Sequence, residues 1–184
     1  MKNIYLLIGR SGSGKSTVAD ILEKKYGWKV LQSYTTRQPR FDGETGHTFV
    51  SKEEFDKLED KCAYTLFAGN EYCATSQQVD ESDVYVIDPA GVEYFMQKYT
   101  GHKHPICAII NISEEEARRR MSMRKGASEE ETERRIENDR FAFGEELEKI
   151  IANEDLDVEL FSGTIWNPET IAECIYEDGL EYEE

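Results

Sequence analysis

The sequence predicts an α/β fold in three layers, a central parallel sheet with helices on both faces. Three observations carry this. Short apolar runs at 4–8, 84–87 and 106–110 have the composition of strands buried on both sides. The first run opens into a glycine-rich loop, and the loop opens into apolar positions at helical spacing. Strand and helix signals then alternate to the end of the chain, with neither an internal repeat nor a low-complexity linker.

Length and composition narrow the function. A chain of 184 residues with 39% apolar and 33% charged residues suits one domain with a sizeable core. No apolar run reaches the length of a membrane-spanning helix, and the first strand starts too early to leave room for a signal peptide. Cys62, Cys73, Cys107 and Cys174 are scattered, without a C-x-x-C pair, as reduced thiols of a cytoplasmic protein are. Net charge is −16, and residues 141–184 hold 14 acidic side chains against Lys149 alone. Such a surface repels phosphate backbones and argues against nucleic-acid binding.

Gly9-Arg10-Ser11-Gly12-Ser13-Gly14-Lys15-Ser16, with Thr17 behind it, fits the phosphate-binding pattern G-x-x-x-x-G-K-[ST]. The glycines let successive N–H groups point at one anion, and the following helix adds the positive end of its dipole. Lys15 is expected to reach the β- and γ-phosphates of a nucleoside triphosphate, and the Ser16 hydroxyl to hold Mg²⁺. A chance Gly/Ser turn with a stray lysine does not account for the strand before and the helix after.

Further along, the helix at 15–26 is expected to end at Gly27, and 28–31 to form a second short strand. Arg37 and Arg40 flank Pro39 on a stiff segment suited to a phosphate, or to an ordinary basic surface loop. A brief strand at 48–50, a capping box at Ser51 and Glu54, and a hairpin across 62–75 make a small β-rich insert. Asp88, at the carboxyl end of the third core strand, is placed to act on a ligand or to cap the helix that Pro89 begins. His102 and His104 read as surface residues. Capping boxes at Ser113/Glu116 and Ser128/Glu131 start two helices, the second expected to run to about Asn153. Arg118, Arg119, Arg120, Arg124, Lys125, Arg134, Arg135 and Arg140 crowd this helical hairpin; interleaved acids make a solvated helix face the reading for some of them, and their density in an acidic protein suggests a mobile lid closing over a triphosphate. A strand at 158–161 and a helix capped at Asn167-Pro168 close the chain, with 181–184 frayed.

Together these segments resemble the guanylate kinase family over roughly residues 3–160. The resemblance rests on the phosphate loop, on Ser33-Tyr34-Thr35-Thr36-Arg37-Gln38-Pro39-Arg40, on Thr48-Phe49-Val50-Ser51, on Gly69-Asn70-Glu71-Tyr72, on Ile87-Asp88 and on the arginine-rich hairpin. It implies a P-loop NTPase fold with a core at about 1–32, 82–124 and 141–184, a nucleoside-monophosphate-binding insert at 33–81 and a lid at 124–140. It also implies that Ser33, Arg37, Arg40 and Tyr72 bind a nucleoside monophosphate, with His47 at the place of a family tyrosine, and that Asp88 lies near the base. Arg124, Arg135 and Arg140 are then expected at the transferring phosphoryl group, and Asn153 at the adenine of ATP.

The departures from the family pattern fall on the base-reading set and leave the phosphate grip intact. Ala63, Ala74 and Val86 stand where polar residues are usual, with Glu71 a potential substitute. The implied reaction is Mg-ATP plus GMP or dGMP giving ADP and the diphosphate, in a monomer or homodimer free of membrane. Phosphorylation of another nucleotide or a ribose bisphosphate is the alternative. A silent interaction module of the same fold is the other, and the intact phosphate loop speaks against it.

Overall fold

A computed structural model describes residues 2–39, 41–67, 69–124 and 127–181. Arg40, Lys125 and the last three residues lie outside them, and so do the expectations placed there.

The chain begins with β1 (Asn3–Ile8) and α1 (Lys15–Tyr26). Gly27, at φ 74°, ends α1 as expected, in a backbone region a side chain would resist. There follow β2 (Ser33–Thr35), β3 (His47–Phe49), α2 (Lys52–Asp56), β4 (Lys61–Phe67), β5 (Asn70–Thr75) and α3 (Ser76–Asp80). The chain continues with β6 (Val84–Val86), α4 (Pro89–Lys98), β7 (His104–Asn111), α5 (Glu114–Ser122), α6 (Glu129–Ala142), α7 (Glu145–Ile151), β8 (Asp157–Ser162) and α8 (Pro168–Glu181).

The central sheet runs β6-β1-β7-β8, all parallel. Its side chains alternate strictly between two cores, the period-two pattern of a strand buried on both faces. Tyr5, Leu7, Ile106, Ala108 and Ile110 face Val18 and Leu22 of α1 and Ile171 and Ile175 of α8. Ile4, Leu6, Ile8, Cys107 and Ile109 face Val92 and Phe95 of α4 and Phe143 and Ile150 beyond α6. The three layers are thus helix, sheet, helix. A second sheet, β3-β2-β5-β4, is mixed: β2 pairs β3 in parallel and β5 antiparallel, and β4 pairs β5 antiparallel.

Two local expectations need correction here. The strand at 28–31 reduces to one bridge, Val30 to Val84, because Trp28 turns away to pack against Tyr5 and Tyr176. The helix expected to reach Asn153 ends at Ala142, and Gly144 separates it from α7. A Cβ at Gly144 would stand 3.3 Å from the Arg140 carbonyl oxygen, a tight approach that glycine avoids. The turn buries Phe143 in the core.

The capping box at Ser51 and Glu54 forms in full, and an unforeseen one forms at Thr75 and Gln78. At Ser113 and Ser128 only half of each box exists. Both serines accept from the amide three residues on, but the Glu116 carboxylate goes to Arg119 and Arg120, and Glu131 to Arg134 and Arg135. A charge-assisted bond to a guanidinium outcompetes one to a neutral amide. The arginines hold the Glu116 carboxyl down at about 2.

Candidate active site

Parallel strands present their carboxyl ends on one side, and the phosphate loop lies there, between β1 and α1. Gly9 leaves β1 so close to β7 that a Cβ would meet the Ile110 carbonyl oxygen at 2.5 Å and the Ser13 hydroxyl at 2.6 Å. Gly14 takes φ 103° to start α1, whose first amides have no side-chain cap. These N–H groups suit an anion.

The loop folds around its lysine. Lys15 Nζ donates to the carbonyl oxygens of Gly9 and of Arg10, the latter at 3.0 Å, and lies 3.5 Å from the Ser13 hydroxyl. Burial pulls its pKa down to about 8; nearby Asp139 opposes that shift and Arg124 adds to it. Ser16 and Thr17, in the first turn of α1, are exposed.

Two side chains hold the loop: Arg120, expected only as one of the basic residues of the hairpin, and Asp139, which no sequence signal marked. Arg120 on α5 donates to the Gly163 carbonyl at 2.6 Å and to the Gly12 and Ser13 carbonyls at 3.4 Å, with its Nε on Glu116 at 2.6 Å. It braces the back of the loop against the end of β8. Asp139 on α6, only 6% exposed, accepts from the Ser11 amide at 2.7 Å and from the Ser11 hydroxyl at 3.3 Å. An aspartate in an arginine-rich helix carries no sequence signal for such a contact.

Of the three arginines expected at the transferring group, two are paired with carboxylates of the helical hairpin. Arg140 grips Glu114 at 2.6 and 2.7 Å, and Arg135 pairs with Glu131 at 2.8 Å. Arg124 is exposed beyond the end of α5, within electrostatic reach of Lys15. Asn153 lies on the wrong side of the sheet for the adenine contact expected of it. It precedes β8, so it sits at the strand's amino end, whereas Gly9 follows β1 at the carboxyl end of the same parallel sheet. Its carboxamide instead accepts from the Asp155 amide at 3.0 Å in an exposed turn.

Opposite the loop, Ser33 and His47 pair across β2 and β3, with Ser33 Oγ 2.9 Å from His47 Nδ1, and the Tyr72 ring meets the His47 ring edge-on. Arg37 lies over the Phe49 ring and makes a two-point pair with Glu44 at 2.8 and 3.1 Å. Its Nε is buried with no hydrogen-bond partner among the described residues. Asp88 caps α4 through the Gly91 amide at 2.7 Å, and burial raises its carboxyl above the usual range despite that bond, the Thr65 hydroxyl and Lys15.

A cavity of about 470 Å³ joins the two sides. Gly9, Ser11 and Lys15 line one end, and Ser33, His47, Tyr72 and Asp88 line the rest, with Asn138, Asp139 and Phe141 of α6 and Glu146 of α7. Ala63 and Val86 contribute apolar wall, and buried Ala74 stands opposite Ala63 in the hairpin register.

A three-layer sheet with a phosphate loop at its carboxyl edge defines the class of P-loop nucleotide-binding proteins. Within it the chain belongs to the guanylate kinase family, whose model matches residues 1–162. A guanylate kinase of Fusobacterium nucleatum is 34% identical over 83 residues, 42% of this chain, so the match spans only 45% of that relative. Among solved structures, a guanylate kinase from Anaplasma phagocytophilum superposes with TM-score 0.62 at 24% identity, over 99% of this chain and 86% of that one. A sugar kinase from Janibacter superposes with TM-score 0.56 at 12% identity, over 96% and 94%. At these identities the superpositions speak for the fold.

Proposed function

We propose that the chain transfers the γ-phosphoryl group of ATP to GMP or dGMP. One observation carries this: the phosphate loop and the side chains of Ser33, His47, Tyr72 and Asp88 line a single cavity, the arrangement that facing donor and acceptor sites need. The family membership and the Fusobacterium nucleatum relative point the same way.

In this assignment Lys15 and the loop amides take the donor phosphates, and Arg37, with its unpartnered Nε, takes the acceptor phosphate beside Tyr72. Arg40 would join it. The acceptor phosphate is already anionic near neutral pH, so no general base is needed and catalysis is positioning and charge neutralisation. Residues 33–81 then form the acceptor insert and 124–140 the lid. Arg124, Arg135 and Arg140 act once the lid closes, which requires Arg135 and Arg140 to leave Glu131 and Glu114.

Among the described residues no cluster of three or more His, Cys, Asp or Glu side chains is arranged for a metal. This suits Mg²⁺, which keeps its waters and binds chiefly through substrate phosphates. Ser16 is exposed and has no hydrogen-bond partner among the described residues, a free hard oxygen beside Lys15. It would hold the ion, which neutralises charge on the phosphates when bound.

Cys62, Cys73, Cys107 and Cys174 are free thiols, and none of the described helices is long and apolar enough to cross a membrane. A cytoplasmic location, and a monomer or homodimer acting on small nucleotides alone, follow as part of the same proposal. The test is turnover with Mg-ATP across GMP, dGMP, AMP, UMP, CMP and ribose phosphates. GMP or dGMP as best acceptor is the expected result; a preference for any other overturns the assignment.

A further inference from the structure

Most polar groups lining the cavity are already engaged. Asp88 accepts from the Gly91 amide, Ser33 and His47 hold each other, and Asp139 is taken by Ser11. Ala63 and Val86 offer no acceptor. Glu146 differs. It lines the cavity from α7, is half-buried, and makes no hydrogen bond or ion pair with any described residue. Burial raises its carboxyl above the usual range, and the charges of Asp88 and Glu93 push the same way against the smaller opposing pull of Lys149.

A carboxylate in such a pocket, facing like charge, favours a ligand that brings N–H donors. The Watson–Crick edge of guanine presents two adjacent donors, N1–H and the 2-amino group, and the two oxygens of one carboxylate match them. Adenine has no such pair. We propose that Glu146 reads the donor edge of the acceptor's base, a specificity role supplied from α7 in place of the apolar Ala63, Ala74 and Val86 on the hairpin and β6 side.

This rests on the guanylate kinase assignment above, and the test separates the two. Steady-state kinetics with saturating Mg-ATP are measured on wild type, E146Q and E146D, using GMP, AMP and IMP, which lacks the 2-amino group. A good two-point base contact is worth about 1–3 kcal/mol, so E146Q is expected to raise the KM for GMP about 5- to 150-fold. The KM for IMP should rise several-fold less and that for AMP stay within about twofold. Melting temperature should stay put, and E146D should recover part of the loss. A role confined to packing would move all three acceptors together. Wild type active on GMP, with E146Q matching it in KM or losing GMP, IMP and AMP alike, overturns the assignment of Glu146. Wild type inactive on GMP but active on another acceptor overturns the guanylate kinase assignment, and Glu146 falls with it.

Discussion

The Asp139 carboxylate accepts from both the amide and the hydroxyl of Ser11, at 2.7 and 3.3 Å, so a side chain of α6 occupies an anion position in the phosphate loop. Arg135 lies one helical turn earlier on the same helix, paired with Glu131. In this state a negative group faces the loop while a positive one is held back, the reverse of what a bound triphosphate requires.

We therefore expect D139N to bind ATP more tightly than wild type, by roughly 3- to 10-fold, since one like charge at the phosphates is removed. Titration calorimetry with ATP checks this. Equal or weaker binding would show that Asp139 merely braces α6 against the loop.

Replacing Lys15 with Met should cut kcat by about 10²–10³, the range for loss of one preorganised positive partner of a transferring group. Among the described residues its Nζ hydrogen-bonds loop oxygens alone, and burial already lowers its pKa to about 8, so the fold should survive. Circular dichroism beside kinetics separates the two effects. Unchanged turnover is the contrary result.

For Arg37→Ala the expected change is a rise of about 10- to 100-fold in the KM for the acceptor, with the KM for ATP within about twofold. The same variant breaks the two-point pair with Glu44, so R37K, which keeps the charge but not the two-point geometry, serves as control. Kinetics for every nucleotide matching wild type would remove Arg37 from the acceptor site.

Stability should depend on pH through Glu159. Burial, then the neighbouring Asp178, lifts its carboxyl to about 7, and Asp178 in turn accepts from the Tyr5 hydroxyl. A carboxyl raised in the folded state gives its full stability below the unfolded value of about 4.3 and loses it as pH rises through about 7. E159Q should therefore match wild type near pH 4 and melt about 2–4 °C higher at pH 8, a difference of about 1 kcal/mol after discounting for partial exposure. Equal melting temperatures at pH 8 would place Glu159 in an ordinary solvated setting.

The scaffold is legible in the sequence where one local rule decides it. The phosphate loop needs glycines, a lysine and a hydroxyl at fixed spacing, and the runs around Leu6 and Ala108 have no polar face to misread. Legibility fails where a residue has two competing partners. Glu116 and Glu131 satisfy a capping pattern, yet their carboxylates go to arginines one turn away. It fails again where the contact is distant: Ser11 and Asp139 are 128 residues apart, and Arg120 and Gly163 are 43 apart. Asn153 shows a third cause, because a local motif does not say at which end of a strand it will lie.

One end of the parallel sheet has a consequence for colloidal behaviour. β8 is its terminal strand, with Leu160 61% exposed, and an open rim of this kind recruits strands from other molecules. Exposed Asp157 sits on that strand, amid the acidic C-terminal quarter of the chain. Mutual repulsion between such rims keeps copies apart, so light scattering should climb when salt or acid quenches it.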